Sequence, residues 1–225
     1  MENKITGCVF DLDGTLADTA PDIAIALNNS LNDAGLRQVP LESVKEMIGN
    51  GIPVLVRRAL FHIEAPEDLA ADVVTSMLAY SRKYYCEKSS LMHGVKDCLE
   101  GLKKRGIPMS ICTNKDETVA QMVVSALDLN SYFYAIVGSR PNLVKKPDPS
   151  MLQIAAEAIN SPMETTMMIG DSEVDAATGI AASSISVIVR GGYCHKPYEV
   201  LNVTHLLDSI EELLDIIDNQ YLISG

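Results

Sequence analysis

From Gly94 onward, short apolar runs alternate with stretches of helical period, and no other feature restricts the fold of this chain as strongly. A helix near 95–105 precedes a strand at Pro108 to Cys112, one near 116–127 precedes Ala135 to Val137, and one near 149–159 precedes Thr166 to Ile169. A last strand at Ser186 to Val189 leads to a terminal helix whose Leu206, Leu207, Ile210, Leu213 and Leu214 form an apolar stripe. Strands that alternate with helices pair in parallel, and the helices then cover both faces of the sheet. The expected fold class is α/β, a doubly wound parallel sheet with a Rossmann-like core.

The first strand of that core lies far upstream. An apolar run, Ile5 to Phe10, empties into Asp11-Leu12-Asp13-Gly14-Thr15-Leu16. Residues 17 to about 90 then show helical periodicity and no convincing strand, with candidate helices over about 20–34, 41–48, 52–62 and 66–86. The economical reading is an all-α insertion. It makes residues 1–16 and 91–225 the core and 17–90 a helical cap, crossed at Leu16 to Ala20 and at Lys88 to Gly94. Thr19 is placed to cap the first helix, with Asp22 three residues on and Pro21 in the first turn.

Charge narrows the function. Eighteen basic residues stand against 30 acidic ones, a net charge of −12. That argues against nonspecific nucleic-acid binding, which depends on Lys and Arg neutralising phosphates. An anionic substrate would need local positive charge or a metal ion. Five scattered cysteines, odd in number and without C-x-x-C spacing, read as reduced residues of a cytoplasmic protein. The N-terminus resembles neither a signal nor a transit peptide, and no apolar stretch approaches the ~20 residues of a spanning helix. No membrane partner is expected.

In an open α/β sheet, ligands bind beyond the carboxyl ends of the strands. The polar residues found there make a set: Asp11 and Asp13, Thr113-Asn114-Lys115, and Gly170 to Asp175, with Lys145-Lys146-Pro147-Asp148-Pro149 opening the helix before the fourth strand. Phosphoryl transfer fits them. One carboxylate can attack phosphorus, and a second can protonate the leaving oxygen and then activate water. Mg²⁺ prefers carboxylate oxygens, which suits Asp11 with Asp171. The Thr113 hydroxyl, the Asn114 backbone N–H and the Lys146 ammonium can stabilise the phosphoryl oxygens. Each element alone has a plainer role: Asp13-Gly14 as a turn, Thr113 or Asn114 as a helix cap, Lys146 as a solvated charge, and Ser172 with Asp175 as a capping box.

In these four motifs, and over essentially its whole length, the sequence resembles the haloacid dehalogenase superfamily of phosphatases. The resemblance implies Asp11 as nucleophile, Asp13 as general acid/base, and Mg²⁺ held by Asp11, the Asp13 backbone carbonyl and Asp171. It places Ser172 and Asp175 behind these ligands, with Asp175 orienting a metal water or Lys146, and Gly14 and Thr15 against substrate. True dehalogenases of this type lack the second aspartate of the first motif, so Asp13 speaks against dehalogenation.

The helical insertion looks like the small cap that this superfamily places after its first motif. Within it, Ile48 to Leu60 is similar to a loop and helix of phosphoglycolate phosphatases, as are Thr113-Asn114-Lys115 and Lys145 to Pro149. Asn50, Gly51, Arg57, Asn114 and Lys115 then become candidate substrate-binding residues, with Arg57 or Arg58 reaching down to clamp a carboxylate. Gly49 and Gly51 could instead make only an interhelical turn, with both arginines solvated. Asp116, where the subgroup often has proline, and Met92-His93, which lack the proline usual at the second crossing, depart from that pattern. A small phosphorylated metabolite is the expected partner, and a monomer or homodimer the expected assembly. A β-phosphoglucomutase-like enzyme, a pyrophosphatase or nucleotidase, and a receiver-like phosphoprotein are the alternatives.

Overall fold

The computed structural model describes residues 4–223. In chain order its regular elements begin with β1 (Lys4–Ile5), β2 (Gly7–Phe10) and β3 (Ala17–Asp18). Four helices follow: α1 (Ala20–Asp33), α2 (Leu41–Lys45), α3 (Ile52–His62) and α4 (Ala70–Lys83). The chain returns through β4 (Ser90–Leu91) to α5 (Val95–Lys104), β5 (Met109–Asp116), α6 (Glu117–Ala126), β6 (Phe133–Ser139) and α7 (Ser150–Glu157). It closes with β7 (Thr166–Gly170), α8 (Glu173–Ala181), β8 (Ile185–Val189), β9 (His205–Leu207), α9 (Glu212–Gln220) and β10 (Leu222–Ile223).

The main sheet has six strands in the order β6-β5-β2-β7-β8-β9, every pair parallel. Successive side chains of a strand point to opposite faces, so a strand buried on both sides feeds two cores. Cys8, Phe10, Met109, Ile111, Met167, Ile169 and Val187 pack on one face with residues of α5, α6 and α9. Val9, Cys112 and Met168 pack on the other face with α7. Each fully buried Leu or Phe contributes about 1.5–3 kcal/mol to this sandwich. With β2 central, Asp11 and Asp13 emerge in the middle of the sheet edge, between β5 and β7.

The helices α1, α3 and α4 enclose a separate apolar core built on Leu27, Leu31, Val56, Leu60, Val73 and Met77. Two chain crossings join it to the sheet, and they pair as the antiparallel ribbon of β3 with β4, Ala17 opposite Leu91 and Asp18 opposite Ser90. Buried Asp22 fastens the second crossing: its carboxylate accepts the backbone N–H groups of Lys88 and Ser89 and the Ser89 hydroxyl. Among the described residues, no helix is long and apolar enough to cross a membrane.

Several boundaries differ from the sequence expectation. The stripe at 206–214 is not one helix. Leu206 and Leu207 lie in β9 and go to opposite faces, Leu206 against the Ile188 cluster and Leu207 into the core with Leu213. Adjacent apolar residues satisfy a strand buried on both faces as well as a helix, so the period alone misleads there. The expected second and fourth cap helices are shorter, α2 ending at Lys45 and a 3₁₀ turn at Glu67–Leu69 preceding α4. Thr19 stands at the N-cap of α1 but makes no side-chain cap bond, because its hydroxyl is donated to Asp13 instead.

Candidate active site

The turn after β2 positions the first two acids. Gly14 takes φ +87°, a conformation that side-chain-bearing residues rarely adopt, and a Cβ there would lie 2.7 Å from Asp171 Oδ2. The turn's amides at Leu16 and Ala17 both bond the Leu12 carbonyl. Asp11 is left buried at the strand end. Its Oδ1 lies 2.9 Å from Lys146 Nζ, yet it accepts no hydrogen bond.

Lys146 is buried between two carboxylates, with Asp175 Oδ1 2.6 Å from its Nζ. Burial works against the ammonium, but Asp11 and Asp175 more than offset it and hold the lysine protonated. Asp175 serves two ends at once. Its Oδ2 accepts the Ser172 backbone N–H and hydroxyl, closing a capping box at the start of α8. The box and the lysine contact, alternatives in the sequence, coexist on different oxygens of one carboxylate.

Asp171 follows β7. Its Oδ1 accepts the Thr15 hydroxyl at 2.7 Å and its Oδ2 the Tyr193 backbone N–H at 2.6 Å. Burial, then the nearby Asp175 and Asp11 charges, push its carboxyl well above the ordinary range. Burial likewise pushes Asp11 up to about 6, against the pull of Lys146. Oxygens of Asp11, Asp171 and Asp175 lie within 4.8 Å of one another. This donor set fits a hard divalent cation: the anions are crowded, Asp11 Oδ1 accepts no hydrogen bond, and the donors are oxygen. Asp175 commits its two oxygens to Lys146 and Ser172, and Asp171 commits its two to Thr15 and Tyr193.

Asp13 points towards the cap. Its Oδ1 accepts the Thr19 hydroxyl at 2.6 Å and lies 2.8 Å from Lys115 Nζ. Lys115 belongs to β5, which runs through Thr113 and Asn114 to Asp116, further than its apolar run predicts, with irregular register against β6 between Cys112 and Asp116. Thr113 is buried. The Asn114 side-chain amide donates 3.0 Å bonds to the carbonyls of Gly49 in the cap loop and Lys146 in the core. The sequence offers Asn114 as a backbone N–H donor, a substrate contact or a helix cap; its side chain instead joins lid and floor.

The cap residues separate into two groups. Gly49 and Gly51 line the pocket over Asp11 and Asp13, with Ile52 and Leu55 of α3. Gly51 takes φ +80° before α3, and a Cβ would meet Lys145 Nζ at 2.9 Å. The arginine clamp is not formed. Arg57 points to solvent with Glu67 at 3.9 Å, and Arg58 donates to the Met47 carbonyl and Asn50 Oδ1. Helical period places Arg57 opposite the α3 face that carries Ile52 and Leu55, while Arg58, three residues after Leu55, is held by the Met47 carbonyl and Asn50.

Tyr193 is the residue that sequence reasoning missed. Besides its backbone bond to Asp171, its hydroxyl accepts the N–H groups of Thr19 and Ala20 and donates to Asp18 at 2.6 Å. A Cβ at Gly192 would lie 2.2 Å from Asp171 Oδ2. A Gly-Gly pair just past a strand was the available signal, since it marks a close backbone approach.

Comparison with known proteins agrees with this geometry. A family described as haloacid dehalogenase-like hydrolase matches residues 8–189. A phosphoglycolate phosphatase of Cereibacter sphaeroides is 35% identical over 213 residues, covering 94% of this chain and 97% of that protein. Another, from Pseudomonas syringae pv. syringae (strain B728a), is 35% identical over 212 residues, covering 92% of this chain and 77% of its own length. A crystal structure from Haemophilus somnus 129pt, described as a predicted phosphoglycolate phosphatase, superposes with a TM-score of 0.87 at 27% identity, covering 94% of this chain and 97% of that one. With the strand-edge acids, the buried lysine and the sheet order in place, the chain belongs to the haloacid dehalogenase-like hydrolase family, as a phosphatase of phosphate monoesters.

Proposed function

We propose that the protein is a Mg²⁺-dependent phosphatase of small phosphorylated metabolites in the cytoplasm, with 2-phosphoglycolate as its leading substrate. The observation that carries this reading is the convergence of Asp11, Asp13, Lys146 and Asp171 from three chain segments on one sheet edge, with Asp11 Oδ1 accepting no hydrogen bond. The named substrate comes from the relatives called phosphoglycolate phosphatase. The five cysteines are unpaired, as expected in a reducing compartment. Residues 17–90 act as the lid over a core made by 1–16 and 91–225.

Asp11 attacks phosphorus, and the ester P–O bond breaks with its electron pair on the leaving oxygen. Asp13 gives that oxygen a proton, so an alcohol departs and an aspartyl phosphate remains. Asp13 then takes a proton from water, the water oxygen bonds to phosphorus, and the Asp11–phosphorus bond breaks to release phosphate. Lys146 and the Thr113 hydroxyl stabilise charge on the phosphoryl oxygens, while Asp175 keeps Lys146 in place. Asp11, Asp171 and the Asp13 carbonyl would hold a divalent cation, which would supply the remaining positive charge that a phosphate dianion requires. Mg²⁺ suits a site made only of oxygens. Thr15, Ser172 and Asp175 fix these groups, and Gly14 lets the backbone pass beneath Asp171.

The test is a kcat/KM survey over phosphorylated metabolites with Mg²⁺ and with EDTA. The expected result is that 2-phosphoglycolate leads and that EDTA abolishes turnover until Mg²⁺ is restored. Isomerisation of β-glucose 1-phosphate, or a leading nucleotide or pyrophosphate substrate, would replace this reading.

A further inference from the structure

The chamber between Asp13 and the cap is almost without positive charge. Ile23, Ile52, Leu55 and Met77 roof it, and Asp11, Asp13, Asp116 and Asp171 place four carboxylates along its lining. Lys115 is the one cation among the described residues that line it. Arg82 meets Asp116 at 3.8 Å from outside with 57% of its side chain exposed, and Arg57 and Arg58 face elsewhere.

We propose that Lys115 is the specificity-determining residue that selects phosphate esters whose leaving group carries a carboxylate next to the ester carbon. The assignment rests on the phosphatase reading above and deepens it. Asp13 is the carboxyl that meets the ester oxygen, and Lys115 Nζ lies 2.8 Å from Asp13 Oδ1. In 2-phosphoglycolate one methylene separates the ester oxygen from the carboxylate carbon, so a cation beside Asp13 is within reach of that carboxylate. An ammonium has three donors. One goes to Asp13, and among the described hydrogen bonds Lys115 Nζ makes no other to the protein. It can therefore hold Asp13 and a substrate carboxylate together.

The surroundings strengthen the pair. Only 11% of the Lys115 side chain is exposed, and the apolar roof keeps the local dielectric low, so one charge contact counts for more than it would in water. Without Lys115, a substrate carboxylate would face four lining carboxylates, with Lys146 engaged between Asp11 and Asp175 and Lys145 held behind Gly51. The backbone root of the lysine is fixed in β5, where its N–H donates to Thr113 Oγ1.

Matched substrates test this. 2-Phosphoglycolate and 2-hydroxyethyl phosphate have similar size and lose similarly basic primary alcohols, so any disturbance of Asp13 cancels in their kcat/KM ratio. Wild-type protein should favour phosphoglycolate; K115M should lower the ratio by about 10- to 100-fold, and K115R should restore part of it. K115Q replaces K115M if the methionine variant does not fold. A ratio unchanged in K115M and K115Q overturns the role of Lys115 and leaves phosphoglycolate as substrate. If wild type ignores phosphoglycolate but prefers 2-phospholactate to 1-hydroxypropan-2-yl phosphate, and K115M erases that preference, the named substrate falls and Lys115 stands. No wild-type preference for either carboxylate ester overturns the proposal together with the phosphoglycolate reading, while hydrolysis of the neutral esters would preserve the phosphatase.

Discussion

The floor and the roof of the active site are built on opposite principles. On the floor, the buried charged groups are partnered or crowded: Lys146 lies between Asp11 and Asp175, and Asp171 accepts Thr15 and Tyr193. On the roof, Ile23, Ile52, Leu55 and Met77 offer only apolar surface. Charged groups in a low-dielectric site have one workable geometry, whereas apolar side chains tolerate exchange if volume is kept. On the proposed reading the floor fixes the reaction and, through Lys115, one charge contact to the leaving group, while the roof leaves room to vary the rest of the substrate.

Mutations can break or sharpen this contrast. The largest effect belongs to Asp11→Asn, expected to cost at least about 10⁴-fold in kcat with the fold retained, read by turnover and circular dichroism. Substantial residual Mg²⁺-dependent activity would remove Asp11 as nucleophile. Asp13→Asn should cost about 10²- to 10⁴-fold on alkyl esters and less on p-nitrophenyl phosphate, whose leaving group needs no proton. A uniform loss across leaving groups would contradict the acid role. Lys146→Met tests the stability of the floor. It leaves Asp175 buried beside Asp11 without a counter-ion, and urea unfolding should show a loss of about 3–5 kcal/mol. Adding Asp175→Asn should recover part of that loss, because the two residues are directly coupled. The smallest change is expected at Arg57→Ala: stability within about 0.5 kcal/mol of wild type and an unchanged substrate ranking, since Arg57 is exposed. A changed ranking would bring the outer face of the cap into the site.

Much of the floor was legible in the sequence because it obeys a local rule. A polar residue just past an apolar run lies at a strand end, and the parallel sheet gathers strand ends on one edge. Asp11, Thr113 and Asp171 follow from that rule. Lys146 lies outside that rule, in a Pro-rich loop; its chemistry suits a phosphoryl oxygen, but its burial between two carboxylates shows only in the structure. Tyr193 acts on Asp171 through its backbone, 22 residues away, and the preceding Gly191-Gly192 pair signals a close backbone approach without naming what is approached. Arg57 misled for the converse reason: its chemistry suited a carboxylate, but its position on α3 faces water. Leu206 and Leu207 misled because strand and helix both accept adjacent apolar residues.

The paired crossings, Ala17 with Leu91 and Asp18 with Ser90, have an evolutionary consequence. The excursion that carries the lid leaves and re-enters the core side by side, so the ribbon works as a socket. Lengthening a flexible loop between fixed ends costs only about 0.6 kcal/mol per doubling. Whatever is plugged in, short loop or helical bundle, the sheet beneath can keep its strand order and its acids. The lid is a replaceable part, and descendants of one reaction centre could acquire new substrates by changing what is inserted while the chemistry below stays the same.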